Sequence, residues 1–217
     1  MGSNYTIAQK GLDSILSVVH FIFVLYLAII AQFIIQLIAL SVNGINPIVY
    51  MKKSLALLIL AFTSRSSVGC LPVTIETLTQ KLGVNQATAS FVAGFGTTAG
   101  MQGCAGIFPS LLIVYVCHLT GTAMDFSMIV MTIIVVTLGS LGIAGIPGTA
   151  TMAASVGLSG VGMASSFSLI GPILAIDPLI DMARTMLNVS GSVTNALIID
   201  KRLGNLDENI YNEINKN

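Results

Sequence analysis

Positive charge is missing from a long stretch of the chain: residues 82–183 contain no lysine and no arginine. Charge of either sign is scarce throughout, at 8% of 217 residues, against roughly 25% in soluble domains. With 54% hydrophobic side chains, that scarcity excludes a soluble globular domain and predicts an integral membrane protein. Nine basic and nine acidic side chains leave no net charge, so nothing points to a nucleic-acid partner. Three cysteines (Cys70, Cys104 and Cys117) make no disulfide framework and have no metal-ligand spacing with His20 or His118. No serine has an evident base partner, and the two histidines fall in the first apolar run and in a loop, which argues against an intramembrane hydrolase. No secretory leader is expected either, because residues 1–13 are polar and the apolar run behind them is too long for an h-region.

What remains reads as apolar segments with polar punctuation. After a polar N-terminus over residues 1–12, residues 13–46 hold one run long enough to span a bilayer with tilt. Residues 54–62 are too short to span alone and lead into the serine-rich Thr63-Ser64-Arg65-Ser66-Ser67, then a second amphipathic arm to Lys81. Two short arms about such a tip predict a re-entrant hairpin over residues 47–81. Lys52, Lys53 and Lys81 flank it, so under the positive-inside rule both of its feet are cytoplasmic. Residues 86–120 form a helix interrupted by Gly94, Gly96, Gly100, Gly103 and Gly106. Such glycine density fits an unwound helix with free carbonyls, or small residues for close helix packing. A second broken pair of arms over residues 126–163 surrounds Gly142-Ile143-Ala144-Gly145-Ile146-Pro147-Gly148 with no positive charge at either foot, which predicts entry from outside. A last helix over residues 165–200 returns to Lys201 and Arg202, and residues 203–217 form a polar tail, disordered or surface-bound.

Charge reappears inside that last helix. Asp177, Asp181, Arg184, Thr185, Asn188 and Ser192 advance at the helical period and share one stripe amid membrane-like neighbours. A charge at membrane depth costs on the order of 2.5–3.5 kcal/mol on insertion scales, so it faces a cavity or a partner. An Asp181/Arg184 pair that merely neutralises itself is the simpler account, but six polar residues exceed what it needs. The stripe is read as a solute site. Two hairpins from opposite faces, an unwound helix and a polar-striped helix make an all-α membrane transporter core of inverted-repeat type.

Three strings carry a family resemblance: Thr63-Ser64-Arg65-Ser66-Ser67-Val68-Gly69-Cys70-Leu71-Pro72, Gly142 to Gly148, and Asp181-Met182-Ala183-Arg184-Thr185-Met186-Leu187-Asn188-Val189-Ser190-Gly191. Together they resemble the dicarboxylate/amino acid:cation symporter family, which includes the glutamate transporters. Gly103-Cys104-Ala105-Gly106 and Leu174-Ala175-Ile176-Asp177-Pro178 are similar to its bacterial L-cystine uptake branch. The resemblance implies a secondary active symporter of L-cystine, coupled to sodium or protons, in a bacterial inner (plasma) membrane. It implies no enzymatic activity and no cofactor beyond that coupling ion. The family fold has eight spanning helices and two hairpins, with first helices that build a scaffold and a homotrimer contact. Here only residues 13–46 stand where several of those helices belong, so they are read as a scaffold remnant. The expectation is a truncated product, or a half that needs a separate polypeptide. The alternatives are a non-transporting membrane subunit and a dicarboxylate or glutamate/aspartate symporter.

Position by position, the resemblance assigns Arg184 to a substrate carboxylate, Asp181 to an ammonium and Asn188 to an α-carboxylate. Thr185 and Cys104 line the same pocket, Ser66 and Ser67 close it from the first tip, and Ile146, Pro147 and Gly148 close it from the second. Members that carry dicarboxylates without an amino group tend to lack the acid at Asp181, so its presence points to an amino acid. The family's sodium sites map to Gly96, Gly100 and Asn188, with Ser192 where a carboxylate is usual. Gly100-Met101-Gln102-Gly103-Cys104 has lost a second carboxylate, so those sites are expected to be weakened. A third site, Thr98 with the carbonyls of Ser140, Leu141 and Ile143, keeps its elements. Sodium and a proton carried on Asp177 or Asp181 both stay open.

Overall fold

The computed structural model describes residues 2–213, with side chains over residues 15–213. All regular structure among the described residues is helical. Helix α1 (Gly2–Val42) is followed by α2 (Pro47–Ser64), a tip, and α3 (Leu71–Glu76) with a π-helical turn (Thr77–Lys81). Helices α4 (Gln86–Ala99) and α5 (Phe108–Thr120) are joined by a two-residue break and a π-helical stretch (Gln102–Ile107). Helix α6 (Phe126–Gly139) with a 3₁₀ turn (Ser140–Gly142) and α7 (Ala150–Gly160) form the second hairpin. A 3₁₀ segment (Ala164–Ile170), α8 (Gly171–Ala175), α9 (Asp177–Leu203) and α10 (Glu208–Asn212) complete the chain. By length and composition Ile15–Val42, Pro47–Ser64 and Gln86–Thr120 are each sufficient to cross a membrane.

Both hairpins are present, and each has its feet at one end of the molecule. At the first end, Lys53 Nζ donates to Lys81 O (2.8 Å) and to Ile210 O, Asn85 N–H donates to Asp200 Oδ2 (2.8 Å), and Arg202 Nε donates to Asn43 Oδ1 (2.8 Å). The feet of the first hairpin, the start of α4 and the ends of α1 and α9 therefore share one surface, which also carries the lysines. At the far end Asp125 caps α6 through the Met128 N–H (2.8 Å), and Gly121 ends α5 in the left-handed region that glycine adopts without strain. The tips meet between these ends, where Val68 N–H and Ser66 Oγ both donate to Gly145 O (3.0 and 3.4 Å). Gly145 permits that approach, since a Cβ there would stand 2.6 Å from Thr97 O.

Helix α9 is the axis of the packing. Its first half joins Phe21, Leu25 and Ile29 of α1, Phe108 and Leu112 of α5, and Ala153 and Leu158 of α7 in one apolar cluster. Its second half joins Leu40, Tyr50, Leu57, Ala89 and Tyr211 in another.

Three expectations change. The single helix over residues 165–200 is two pieces bent by 86°, because Pro172 and Pro178 each open a new helix and cannot continue the preceding turn. The first hairpin arm is longer than the apolar count over residues 54–62, for Asn46 caps it, Pro47 starts it, and Lys52 and Lys53 lie within it. The helix read as a scaffold remnant packs into the core on α5 and α9, and its helical backbone starts at Gly2 with no separate segment over residues 1–12 (residue 1 lies outside the described residues). Of the two readings of the tail, disordered or surface-bound, the described part fits the second: it is ordered through α10, with Tyr211 buried and its hydroxyl donating to Asn46 O (2.8 Å). Burial raises the Tyr211 phenol pKa, which keeps the donor protonated. Residues 214–217 lie outside the described residues.

Cysteine placed at the exposed Lys52 position tests the shared end. A membrane-impermeant maleimide is expected to label it only from the cytoplasmic side, whereas labelling from outside alone would reverse the orientation.

Candidate functional site

The site starts from one buried cation. Arg184 is 1% exposed, and its Nη2 donates to Asp181 Oδ1 (3.1 Å) and to Asp177 Oδ1. Asp177, Asp181 and Arg184 come together because seven and three residues along a helix return to one face. Long helical side chains lean toward the N-terminus, which carries the guanidinium back to the Asp177 level. Phe108, the first residue of α5, covers it at 4.0 Å from ring centroid to Cζ, as a cation–π contact. Nε and Nη1 of Arg184 have no hydrogen-bond partner among the described residues. A guanidinium has five donors, and buried donors without acceptors are rare and costly.

One turn further along α9, Asn188 locks the helix to the π-helical stretch. Its Oδ1 accepts from Gly103 N–H (2.8 Å) and Cys104 N–H (3.3 Å), and its Nδ2 donates to Cys104 Sγ (3.0 Å). The Cys104 thiol reaches back to Asp181 Oδ1 at 3.5 Å, as does the Thr185 hydroxyl. Asp181, Arg184, Thr185, Asn188 and Cys104 thus form one buried cluster. Asn188 is occupied by backbone donors, so in this state it serves the helix break.

The tips lie less uniformly. Ser66 holds the first tip by accepting from Gly69 N–H (2.9 Å), while Ser67 is buried with its hydroxyl unpartnered among the described residues. Ile146, Pro147 and Gly148 are exposed, and the contact between tips is made by Gly145 instead.

Of the cation residues, Gly96, Gly100 and Ser192 line one cavity of about 220 Å³. Ser192 Oγ donates to Asn188 O (3.2 Å). Ser140 lines an adjoining cavity of about 270 Å³ with Gly100 and Gln102. Leu141 is exposed, Ile143 is buried, and the Thr98 hydroxyl turns into its own helix to Phe95 O (3.1 Å). Thr98 is therefore not aimed at Ser140 in this state. The residues lining both cavities include no carboxylate.

Three polar residues escaped the sequence reading. Asn195 borders both cavities and continues the α9 stripe three residues past Ser192, a spacing that would have revealed it. Gln32 and Gln36 on α1 donate to Gln102 Oε1 (3.1 and 2.6 Å), and Ser190 Oγ donates to Gln36 Oε1 and lies 2.6 Å from the Tyr50 hydroxyl. Gln32 and Gln36 stand at i,i+4 within an otherwise apolar run, and that is their signal.

The profile of the sodium:dicarboxylate symporter family matches residues 3–202. An L-cystine uptake protein, TcyP, of Bacillus cereus is 42% identical over 209 residues, covering 96% of this chain and 45% of that protein. TcyP of Bacillus licheniformis gives the same identity and coverage, and TcyP of Shouchella clausii is 40% identical over 212 residues, 97% of this chain and 45% of its own. The chain spans about half the length of the curated relatives it matches.

The π-helical stretch supplies a packing test. A Cβ on Gly103 would stand 2.6 Å from Arg184 O, while Gly106 has nothing within 4 Å. Overpacking of this kind costs roughly 1–3 kcal/mol. Gly103→Ala is expected to lower the melting temperature in detergent by several degrees, and Gly106→Ala to leave it unchanged or raise it. Equal melting of the two variants would mean that α9 does not press on this stretch.

Proposed function

The chain belongs to the sodium:dicarboxylate symporter family, and on that premise we propose that it forms the substrate-binding core of a secondary active amino-acid symporter. L-cystine is the proposed cargo, a cation the driving partner and a bacterial cytoplasmic membrane the setting. The observation that carries the reading is Arg184, a fully buried guanidinium with two idle N–H-bearing nitrogens between two carboxylates. A carboxylate cargo satisfies those donors with a bidentate contact. Asp181 then takes the ammonium, which favours an amino acid over a plain dicarboxylate. Thr185, Asn188 and the Cys104 thiol complete the pocket, Ser66 and Ser67 border it from the first tip, and Ile146 to Gly148 close from the second. No bond of the cargo is made or broken in this reading. The L-cystine uptake names of the relatives support the choice of cargo.

A second reading, a core that carries nothing until a separate scaffold polypeptide joins it, draws on the 45% of each relative that the chain spans. The family's homotrimer belongs to that complete form.

Coupling follows from the cavities beside α9. Hard cations take oxygen ligands and gain from anionic ones. Gly96, Gly100, Asn188 and Ser192 offer neutral oxygens only, and Gln102 is a carboxamide tied to two glutamines. We infer that fewer cations accompany the cargo than in members with carboxylates at positions 102 and 192, and that one sodium near Ser140, Leu141 and Ile143 suffices.

Two measurements on the purified chain test this. Arg184→Ala is expected to weaken L-cystine binding at least about 30-fold, the low end of the ~2–5 kcal/mol lost when one partner of a buried charge pair is removed. Unchanged binding would make the stripe structural. Titrating L-cystine binding against sodium at fixed pH, then against pH without sodium, is expected to show dependence on no more than about one sodium. Steep dependence on several ions would show that neutral oxygens are enough.

A further inference from the structure

Arg65 is a basic side chain that no role above uses. It ends α2 in the left-handed region at φ 55°, the one non-glycine residue with positive φ among the described residues, and its N–H closes the helix on Ala61 O (3.1 Å). Non-glycine residues are uncommon in that region. The side chain is half-buried, and its guanidinium makes no hydrogen bond or ion pair among the described residues.

Its depth makes that notable. Arg65 stands twelve residues beyond Lys53 at the cytoplasmic foot, about 18 Å along the helix and near the middle of a roughly 30 Å hydrocarbon core. Its level relative to α9 follows from the antiparallel contact of the two helices at Tyr50 and Ser190, whose hydroxyls are 2.6 Å apart. Fifteen residues along α2 reach Arg65 and thirteen back along α9 reach Asp177, about 22 and 20 Å from the shared level. The helix rise therefore brings Arg65 and Asp177 to nearly the same level. Four charges then occupy one level: Asp177 and Asp181, Arg184 and Arg65.

A one-headed amino acid presents one carboxylate and one ammonium. It satisfies one base and one acid of this set and brings no carboxylate for Arg65. An amino acid with two α-amino-acid ends presents two carboxylates and two ammoniums, the complement of all four. We propose that Arg65 is a specificity-determining residue that holds the second carboxylate of a two-headed amino acid whose first carboxylate lies on Arg184. The inference rests on the amino-acid reading of the site given above. Asp177 holds Arg184 through Oδ1 alone, and its Oδ2 is available to the second ammonium. The seat of Arg65 on the first hairpin tip, which is bonded to Gly145 of the second, ties recognition of the second head to the junction of the two tips.

Calorimetry on the purified full chain in detergent separates the outcomes, with L-cystine and L-cystathionine as two-headed probes and S-methyl-L-cysteine as the one-headed probe. Arg65→Gln is expected to weaken both two-headed probes at least about tenfold, equivalent to ~1.4 kcal/mol, and to leave S-methyl-L-cysteine within about twofold. Arg65→Lys keeps the charge and is expected to recover part of the two-headed affinity, which covers the case in which the glutamine variant melts early. Equal loss for all three probes, or no loss for L-cystine, would overturn the role of Arg65 and leave the Arg184 site standing. An unaltered chain that binds none of the three would overturn the amino-acid reading itself.

Discussion

The interaction on which the rest depends is the burial of Arg184 against Asp177 and Asp181 beneath the Phe108 ring. A guanidinium at this depth is tolerated only when paired, and removing one partner of a buried pair commonly costs 3–5 kcal/mol. The pairing sets what surrounds it. Helix α9 must present both acids to one side, and the π-helical stretch must come close enough for Gly103 to rest on the Arg184 backbone. Phe108 must begin α5 directly after that stretch. Asn188 then satisfies the Gly103 and Cys104 amides that a regular helix would have served. The break in the helix and the charge cluster are two sides of one packing solution.

Much of this was legible in the residues. The periodic stripe from Asp181 to Asn188 gathers in one cluster, since helical geometry alone brings such spacings together. The glycines from Gly94 to Gly106 announced a disturbed helix, and the disturbance is narrower than full unwinding: two irregular residues and then a π-helical stretch. The meeting of the tips was expected of two hairpins with feet at opposite ends, and the Val68 and Ser66 bonds to Gly145 make that contact. The 86° bend before Asp177 was less legible, because the angle between the pieces that Pro172 and Pro178 open is set by packing and not by the local sequence. Gln32 and Gln36 were hidden by the apolar composition around them, which dominates any averaged reading of α1. The exposure of Ile146 to Gly148 depends on how far the second tip leans, and that is a tertiary property with no local signature.

The amide chain from Gln32 through Gln102 and Gln36 to Ser190 and Tyr50 changes the meaning of α1. A helix that shares a buried hydrogen-bonded network with the break in α4–α5 and with α9 is tied to both. In hydrocarbon an unmet carboxamide has no water to turn to, so each member of the network is held by the others. Membership in the core, and not in a surrounding frame, is the physical status of this helix.

The four charges around Asp177 sum to zero, with two of each sign. A membrane potential acts on charge at about 2.3 kcal/mol per elementary charge per 100 mV. If the chain carries a cargo as proposed, a vacant core with that balance would cross the field without electrical work from this cluster, and a two-headed zwitterion would leave the balance unchanged. On that proposal the voltage across the membrane would act only through a coupling cation, and the ion, not the amino acid or its binding groups, would be the part of the cycle that reads the cell's energy state.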